Sequence, residues 1–218
     1  MIPKIKVCCI ANLEEAELAI AQGAFALGLV SEMPSGPGVI AEAAIARIAA
    51  AVRGRVDTFL LTSLTDPEAI VEQHGRLQTS TIQFVDALPE GAHAELRAAL
   101  PHTKLVQVIH VLDDSAIGEA WDLAPHVDGI LLDSGNPNLE TKQLGGTGRT
   151  HNWAVSAAVV KSLRIPVILA GGLRPDNVAA AWKAVRPYGF DLCSGLRTEG
   201  ALDSGKLNQF FGEVRDLA

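Results

Sequence analysis

The chain is short of aromatic residues, cysteine, positive charge and long apolar runs, and each shortage removes a class of protein. Only 5% of its 218 residues are aromatic. A core must therefore be filled by Ala, Leu, Val and Ile, side chains that suit parallel strands buried on both faces. Lys and Arg number 18 against 25 Asp and Glu, a net charge of −7. That balance argues against a nucleic-acid footprint, which needs a clustered basic face, but leaves room for a local pocket that takes an anionic metabolite. No run approaches the ~20 apolar residues of a membrane span. Met1 to Ile10 lacks the apolar stretch and small-residue cleavage site of a signal peptide. The cysteines are Cys8, Cys9 and Cys193. An odd number with two adjacent is a poor disulfide framework, so the expectation is reduced thiols in the cytoplasm. The six histidines show no metal-ligand spacing such as HExxH, and neither a metal nor a cofactor is expected. His93 and His102 read as surface residues, and His110 as a rim or core histidine.

What the chain does have is an alternation. Short apolar runs at Ile5–Ile10, Ala26–Val30, Thr58–Leu61, Thr81–Val85, Leu105–Val111, Gly129–Leu132, Val167–Ala170 and Phe190–Cys193 are separated by Ala-rich amphipathic stretches. The stretches begin near Leu13, Ala41, Asp66, Gly91, Asp114, Trp153, Asp176 and Ser204, several with Asp, Ser or Asn where a helix cap belongs. Strand–helix units in this order predict a parallel sheet with right-handed crossovers. A doubly wound open sheet would carry its glycine-rich phosphate loop after the first strand. Here Ala11–Asn12–Leu13 follows that strand, and the glycine clusters fall late. The expected fold is thus α/β, a single (β/α)8 TIM barrel over residues 1–218, with a phosphate site in the loops after strands seven and eight. The stretches Ser31 to Gly38 and Ser134 to Thr150 read as the mobile loops, and the length of the second marks it as functional.

Gly171–Gly172 and Ser194–Gly195 close those last two strands. Glycine lets backbone approach a phosphate, and the Ser194 hydroxyl adds a donor. Either cluster alone is ordinary turn punctuation; the pair in these two places is the phosphate signal. Cys8, Gln83 and Asp133 fall at C-terminal strand ends, where barrel enzymes keep reactive groups. Alternation puts Lys6 and Cys8 on one face and Cys9 on the other, against the helices as a small hydrophobe. A cation beside Cys8 would favour its thiolate, and a buried Asp133 could deliver a proton rather than merely cap a loop. Such a pair suits proton transfer alpha to a carbonyl or imine. Trp153 reads as a packing residue, and Arg149 as a candidate anion contact.

Several of these segments resemble the phosphoribosylanthranilate isomerase family. Lys6–Val7–Cys8–Cys9–Ile10 is similar to its first strand, and Leu131–Leu132–Asp133–Ser134 with Gly145–Gly146–Thr147–Gly148 to its sixth strand and following loop. Leu169–Ala170–Gly171–Gly172–Leu173 with Pro175 and Asn177, and then Ser194–Gly195, are similar to its last two strands. The resemblance covers nearly the whole chain. It implies a cofactor-independent Amadori rearrangement, with Cys8 as general base, Asp133 as general acid, the substrate phosphate on Gly171, Gly172, Ser194 and Gly195, and further substrate contacts at Lys6, Gln83 and Gly146. The expected partner is a small phosphorylated aminosugar, not nucleic acid or membrane, and the expected assembly is a monomer or homodimer. The chain departs from the family where Cys9 replaces a glycine and Gly36–Pro37–Gly38 replaces an arginine-bearing loop. It departs again where Asp86 follows strand four without the usual His-Gly, where His151–Asn152 precedes Trp153, and where Leu196–Arg197 replaces Val-Glu. Two other readings stay open: an isomerase of a different phosphorylated aminosugar, and a non-catalytic phosphometabolite-binding protein.

Overall fold

A computed structural model of the chain describes residues 2–139, 142–144, 148 and 150–217. Eight parallel strands close into a barrel in chain order: β1 Lys4–Val7, β2 Ala26–Val30, β3 Asp57–Thr62, β4 Thr81–Phe84, β5 Lys104–His110, β6 Gly129–Asp133, β7 Val167–Leu169 and β8 Gly189–Leu192. The helices are α1 Leu13–Ala21, α2 Glu42–Val52, α3 Pro67–Leu77, α4 Ala92–Ala99, α5 Ser115–Leu123, α6 Trp153–Ser162, α7 Val178–Val185 and α8 Ser204–Arg215. The fold is the expected (β/α)8 barrel, and the strand–helix order matches the sequence pattern unit by unit.

Local chemistry sets the helix starts. The side chains of Asn12, Asp66, Asn152 and Asp203 accept hydrogen bonds from first-turn amides, and Pro67 opens α3, where its missing N–H costs nothing. The strands sort their side chains by parity. Ile5, Val7, Leu27, Leu29, Leu60, Ile130, Leu132, Phe190 and Leu192 face outward and pack with the helices. Cys8, Phe59, Leu61, Val106, Val108, Leu131 and Ile168 fill the barrel interior. Full burial of each such Val, Leu, Ile or Phe contributes roughly 1.5–3 kcal/mol.

The first strand is shorter than its apolar run. β1 stops at Val7, and Cys9 has φ of 63°, a left-handed backbone that ends the alternation. A two-stranded hairpin, β9 Arg197–Thr198 and β10 Ala201–Leu202, lies between β8 and α8 and was not expected from sequence. His93 is half-buried, bonded through Nε2 to Gln107 Oε1 at 3.1 Å, where sequence placed it on the surface; His102 is exposed. Trp153 is partly buried and packs on the outer core. No described helix is long and apolar enough to cross a membrane.

Candidate active site

Barrel closure builds the floor of the site. β1 pairs with β8 so that Lys6 lies beside Asp191 and Val7 beside Leu192. Lys6 and Asp191 both point inward, and Lys6 Nζ donates to Asp191 Oδ1 at 2.9 Å. Lys6 has no exposed surface at all. Its ammonium also meets Cys8, the free cysteine, and lies 5.4 Å from the centre of the Phe59 ring. Space for this cluster comes from Gly28 on β2: a Cβ there would stand 2.6 Å from Cys8 Sγ and 3.1 Å from Lys6 Nζ. Any larger residue would push the thiol or the ammonium aside.

The charges on these groups follow from burial and from one another. Burial opposes the Lys6 charge, yet the facing Asp191 carboxylate and Cys8 raise its pKa above the ordinary lysine value. Burial pushes the Cys8 thiol up to about 11, against the pull of Lys6; the Asp191 charge adds to the rise. Asp133 ends β6, its Oδ1 accepting from the Ser134 amide at 2.7 Å. Burial raises its pKa above the ordinary carboxyl value, although the Ser134 N–H and His110 work the other way.

Above this floor opens a cleft of about 660 Å³, counted out to its mouth. Cys8, Asp133, Gln83, Gly171, Gly172, Ser194 and Gly195 all line it. Gly171 and Gly172 have φ of 80° and 61°. Asn177 fastens their turn, donating from Nδ2 to the Gly172 carbonyl at 2.9 Å and accepting from the Arg174 amide at 2.8 Å. At Gly195 a Cβ would overlap the Leu173 carbonyl, so the two phosphate-candidate turns touch through backbone. The opposite end is walled by Val30, Met33, Pro37, Leu61 and Leu144. No lysine or arginine is among the described lining residues. His110 ends β5 beside Asp133 in the sheet; it does not line the cleft, and its Nε2 donates to the Val85 carbonyl at 3.0 Å. Gly146 and Arg149 lie outside the described residues. Lys6 sits beneath the cleft rather than in its wall, so it reaches the site through Cys8 and Asp191 and not as a direct contact. Among the described residues, no group of three or more His, Cys, Asp or Glu could hold a metal ion.

The cysteine reading needs correction. Cys9 and Cys193 are joined by a disulfide, their Cα atoms 5.8 Å apart, and both line the cleft. They are 184 residues apart in sequence, and barrel closure makes them neighbours. The left-handed turn at Cys9 carries its side chain away from the helices, against strand parity. Sequence reasoning also gave no role to Asp191 or to Arg197. Asp191 was read only as part of a strand, although its parity with Gly189 turns it inward. Arg197 Nη2 pairs with Glu15 Oε2 at 2.8 Å and donates to the Cys9 carbonyl. Glu15 in turn accepts from the Leu202 and Ala11 amides, tying the end of β1 to the β9–β10 hairpin.

A family model for N-(5'-phosphoribosyl)anthranilate isomerase matches residues 5–213. The chain belongs to the phosphoribosylanthranilate isomerase family. An N-(5'-phosphoribosyl)anthranilate isomerase of Methanocella arvoryzae is 30% identical over 213 residues, covering 97% of this chain and 98% of the relative. The isomerase 2 of Methanosarcina mazei is 32% identical over 224 residues, covering 99% and 98%. A crystal structure of the phosphoribosylanthranilate isomerase of Thermus thermophilus superposes with a TM-score of 0.82 at 25% identity, covering 99% of this chain and all of that one.

Proposed function

We propose that this cleft carries out the Amadori rearrangement of N-(5'-phosphoribosyl)anthranilate, with Cys8 as general base and Asp133 as general acid. Membership of the family makes the chain an aldose–ketose isomerase of tryptophan biosynthesis. The observation that carries the residue assignment is that the inward-facing Cys8 and Asp133 share one cleft with the Gly171–Gly172 and Ser194–Gly195 turns.

In this reading the two turns hold the 5'-phosphate and set the ribose over the barrel mouth. Asp133, its pKa raised by burial, gives its proton to the ring oxygen from its protonated form as the C1–O bond breaks. The lone pair of the anthranilate nitrogen forms the C1=N bond of an iminium. The Cys8 thiolate removes the C2 proton, and the C–H electrons become the C1=C2 bond of an enolamine. Loss of the 2-hydroxyl proton and protonation at C1 then give the ketone. With the Cys8 pKa at about 11, roughly one thiol in ten thousand is ionised near neutrality. Lys6 keeps that fraction from being smaller still, since its positive charge favours the thiolate. Gln83 lines the wall as a polar contact for the substrate. The substrate is a small phosphorylated aminosugar, the setting the cytoplasm, and the assembly a monomer or homodimer.

One observation favours a second reading, an isomerase of another phosphorylated aminosugar: the apolar end presents no described cation to an aglycone carboxylate. A single assay separates the two. The fluorescence of phosphoribosylanthranilate is followed with purified protein. Steady loss of signal with formation of the ketose product is expected; no turnover of this substrate alongside turnover of another aminosugar phosphate would move the assignment to the second reading.

A further inference from the structure

The Cys9–Cys193 bridge joins the two halves of the site. Cys9 directly follows Cys8, and Cys193 directly precedes Ser194 and Gly195. Cys9 is held at φ of 63°, a left-handed conformation that a residue bearing a side chain adopts at a cost. The Arg197 guanidinium grips the Cys9 carbonyl from behind. Cys9 is buried at 4% exposure, whereas Cys193 is half-buried and faces the cleft. A reductant entering the cleft therefore meets the Cys193 sulfur first, in the place where a bound phosphate would block it.

We propose that this bridge is a redox switch on the phosphate end of the site. Closed, it clamps the Ser194–Gly195 turn to the Cys8 segment and the phosphate binds tightly. Opened, it lets Cys9 leave its left-handed conformation and the turn drift from the base, so phosphate binds more weakly. The inference rests on reading Ser194–Gly195 as the phosphate turn. The opening step needs a dithiol reductant. One of its thiolates attacks the Cys193 sulfur, the S–S bond breaks, and Cys9 leaves as a thiolate that takes up a proton. The second thiol of the reductant then displaces Cys193 as a thiol, and the reductant ends as a disulfide. Two electrons and two protons pass to the protein. Linkage makes the coupling reciprocal: if the closed form binds phosphate tighter, phosphate must stabilise the bridge by the same factor. A tenfold difference in affinity lowers the two-electron midpoint potential by roughly 30 mV at saturating phosphate.

The test measures inorganic phosphate binding to the oxidised protein and to protein held in dithiothreitol, with iodoacetamide trapping and mass measurement to count thiols in each. We expect one alkylated cysteine after unfolding of the oxidised form, three after reduction, and phosphate affinity about tenfold lower in the reduced form. Cys193→Ser and Cys9→Ser should bind phosphate weakly in both conditions; the wild-type comparison needs neither variant to fold. Equal affinity in the two redox forms would overturn the switch and leave the phosphate reading standing. No phosphate binding by the oxidised form would overturn both. Three alkylated cysteines in air-oxidised protein would remove the bridge itself.

Discussion

Replacing Lys6 by methionine keeps most of the buried stem and deletes the ammonium that Asp191 and Cys8 share. Asp191 is 8% exposed and holds Lys6 as its ion-pair partner, so the variant leaves a carboxylate buried without its counter-charge. Breaking a buried pair in this way costs about 3–5 kcal/mol. Cys8 loses the cation that opposes burial, and its thiol moves above the value of about 11 that it has with Lys6 present. Each unit of that rise removes about nine-tenths of the thiolate, so kcat/KM should fall by up to about tenfold per unit, the greater basicity of the remaining thiolate offsetting part of the loss. Two assays separate the effects: urea unfolding, and turnover at a temperature where the variant is folded. The double variant Lys6→Met, Asp191→Leu removes both charges. It should regain most of the lost stability, because an apolar pair of similar volume tolerates the site, yet stay slow. A single variant within about 1 kcal/mol of wild type would refute the buried pair as a structural element. A double variant with wild-type turnover would refute the role of Lys6 beside the base.

Three further outcomes follow from the same geometry. The kcat/KM profile should be a broad bell, its acid limb marking Asp133 above the ordinary carboxyl pKa of 3.8 and its alkaline limb near 11; between them the loss of protonated Asp133 and the gain of Cys8 thiolate cancel, so a profile falling steadily through neutrality would contradict the assignment. Asp133→Asn should lower turnover by about a hundredfold to ten-thousandfold while stabilising the fold by about 0.5–2 kcal/mol near neutrality. The sign follows from the raised pKa: the ionised carboxylate destabilises the folded state above that pKa, so the gain should vanish in unfolding titrations carried below 3.8. Gly195→Ala drives a Cβ into the Leu173 carbonyl, forcing the two turns apart; the KM of the phosphorylated substrate and the Kd of inorganic phosphate should both rise roughly tenfold to a hundredfold, and unchanged values would move the phosphate elsewhere.

The barrel was legible in the chain because its evidence is local. Apolar runs, caps such as Asn12 and Asp66, and late glycines each report on their own few residues. That Cys8, Gln83, Asp133 and the Gly171–Gly172 and Ser194–Gly195 turns line one cleft was legible for the same reason, since strand parity and strand ends place them. What was hidden depends on closure. Nothing near Lys6 in sequence announces Asp191, and nothing near Cys9 announces Cys193; only the β1–β8 register brings them together. The error at Cys9 has a further cause. Alternation was carried past Val7, where a left-handed residue ends it. Arg197 was noticed only as a departure from the family pattern, and its partner Glu15 lies across the barrel rim.

The assignment of base and acid is tested most directly by comparing turnover of wild type, Cys8→Ser and Asp133→Asn, with inorganic phosphate affinity measured on the same samples. Both variants should lose about a hundredfold to ten-thousandfold in kcat while binding phosphate as the wild type does. Turnover close to wild type in either variant, with phosphate binding intact, would contradict the account.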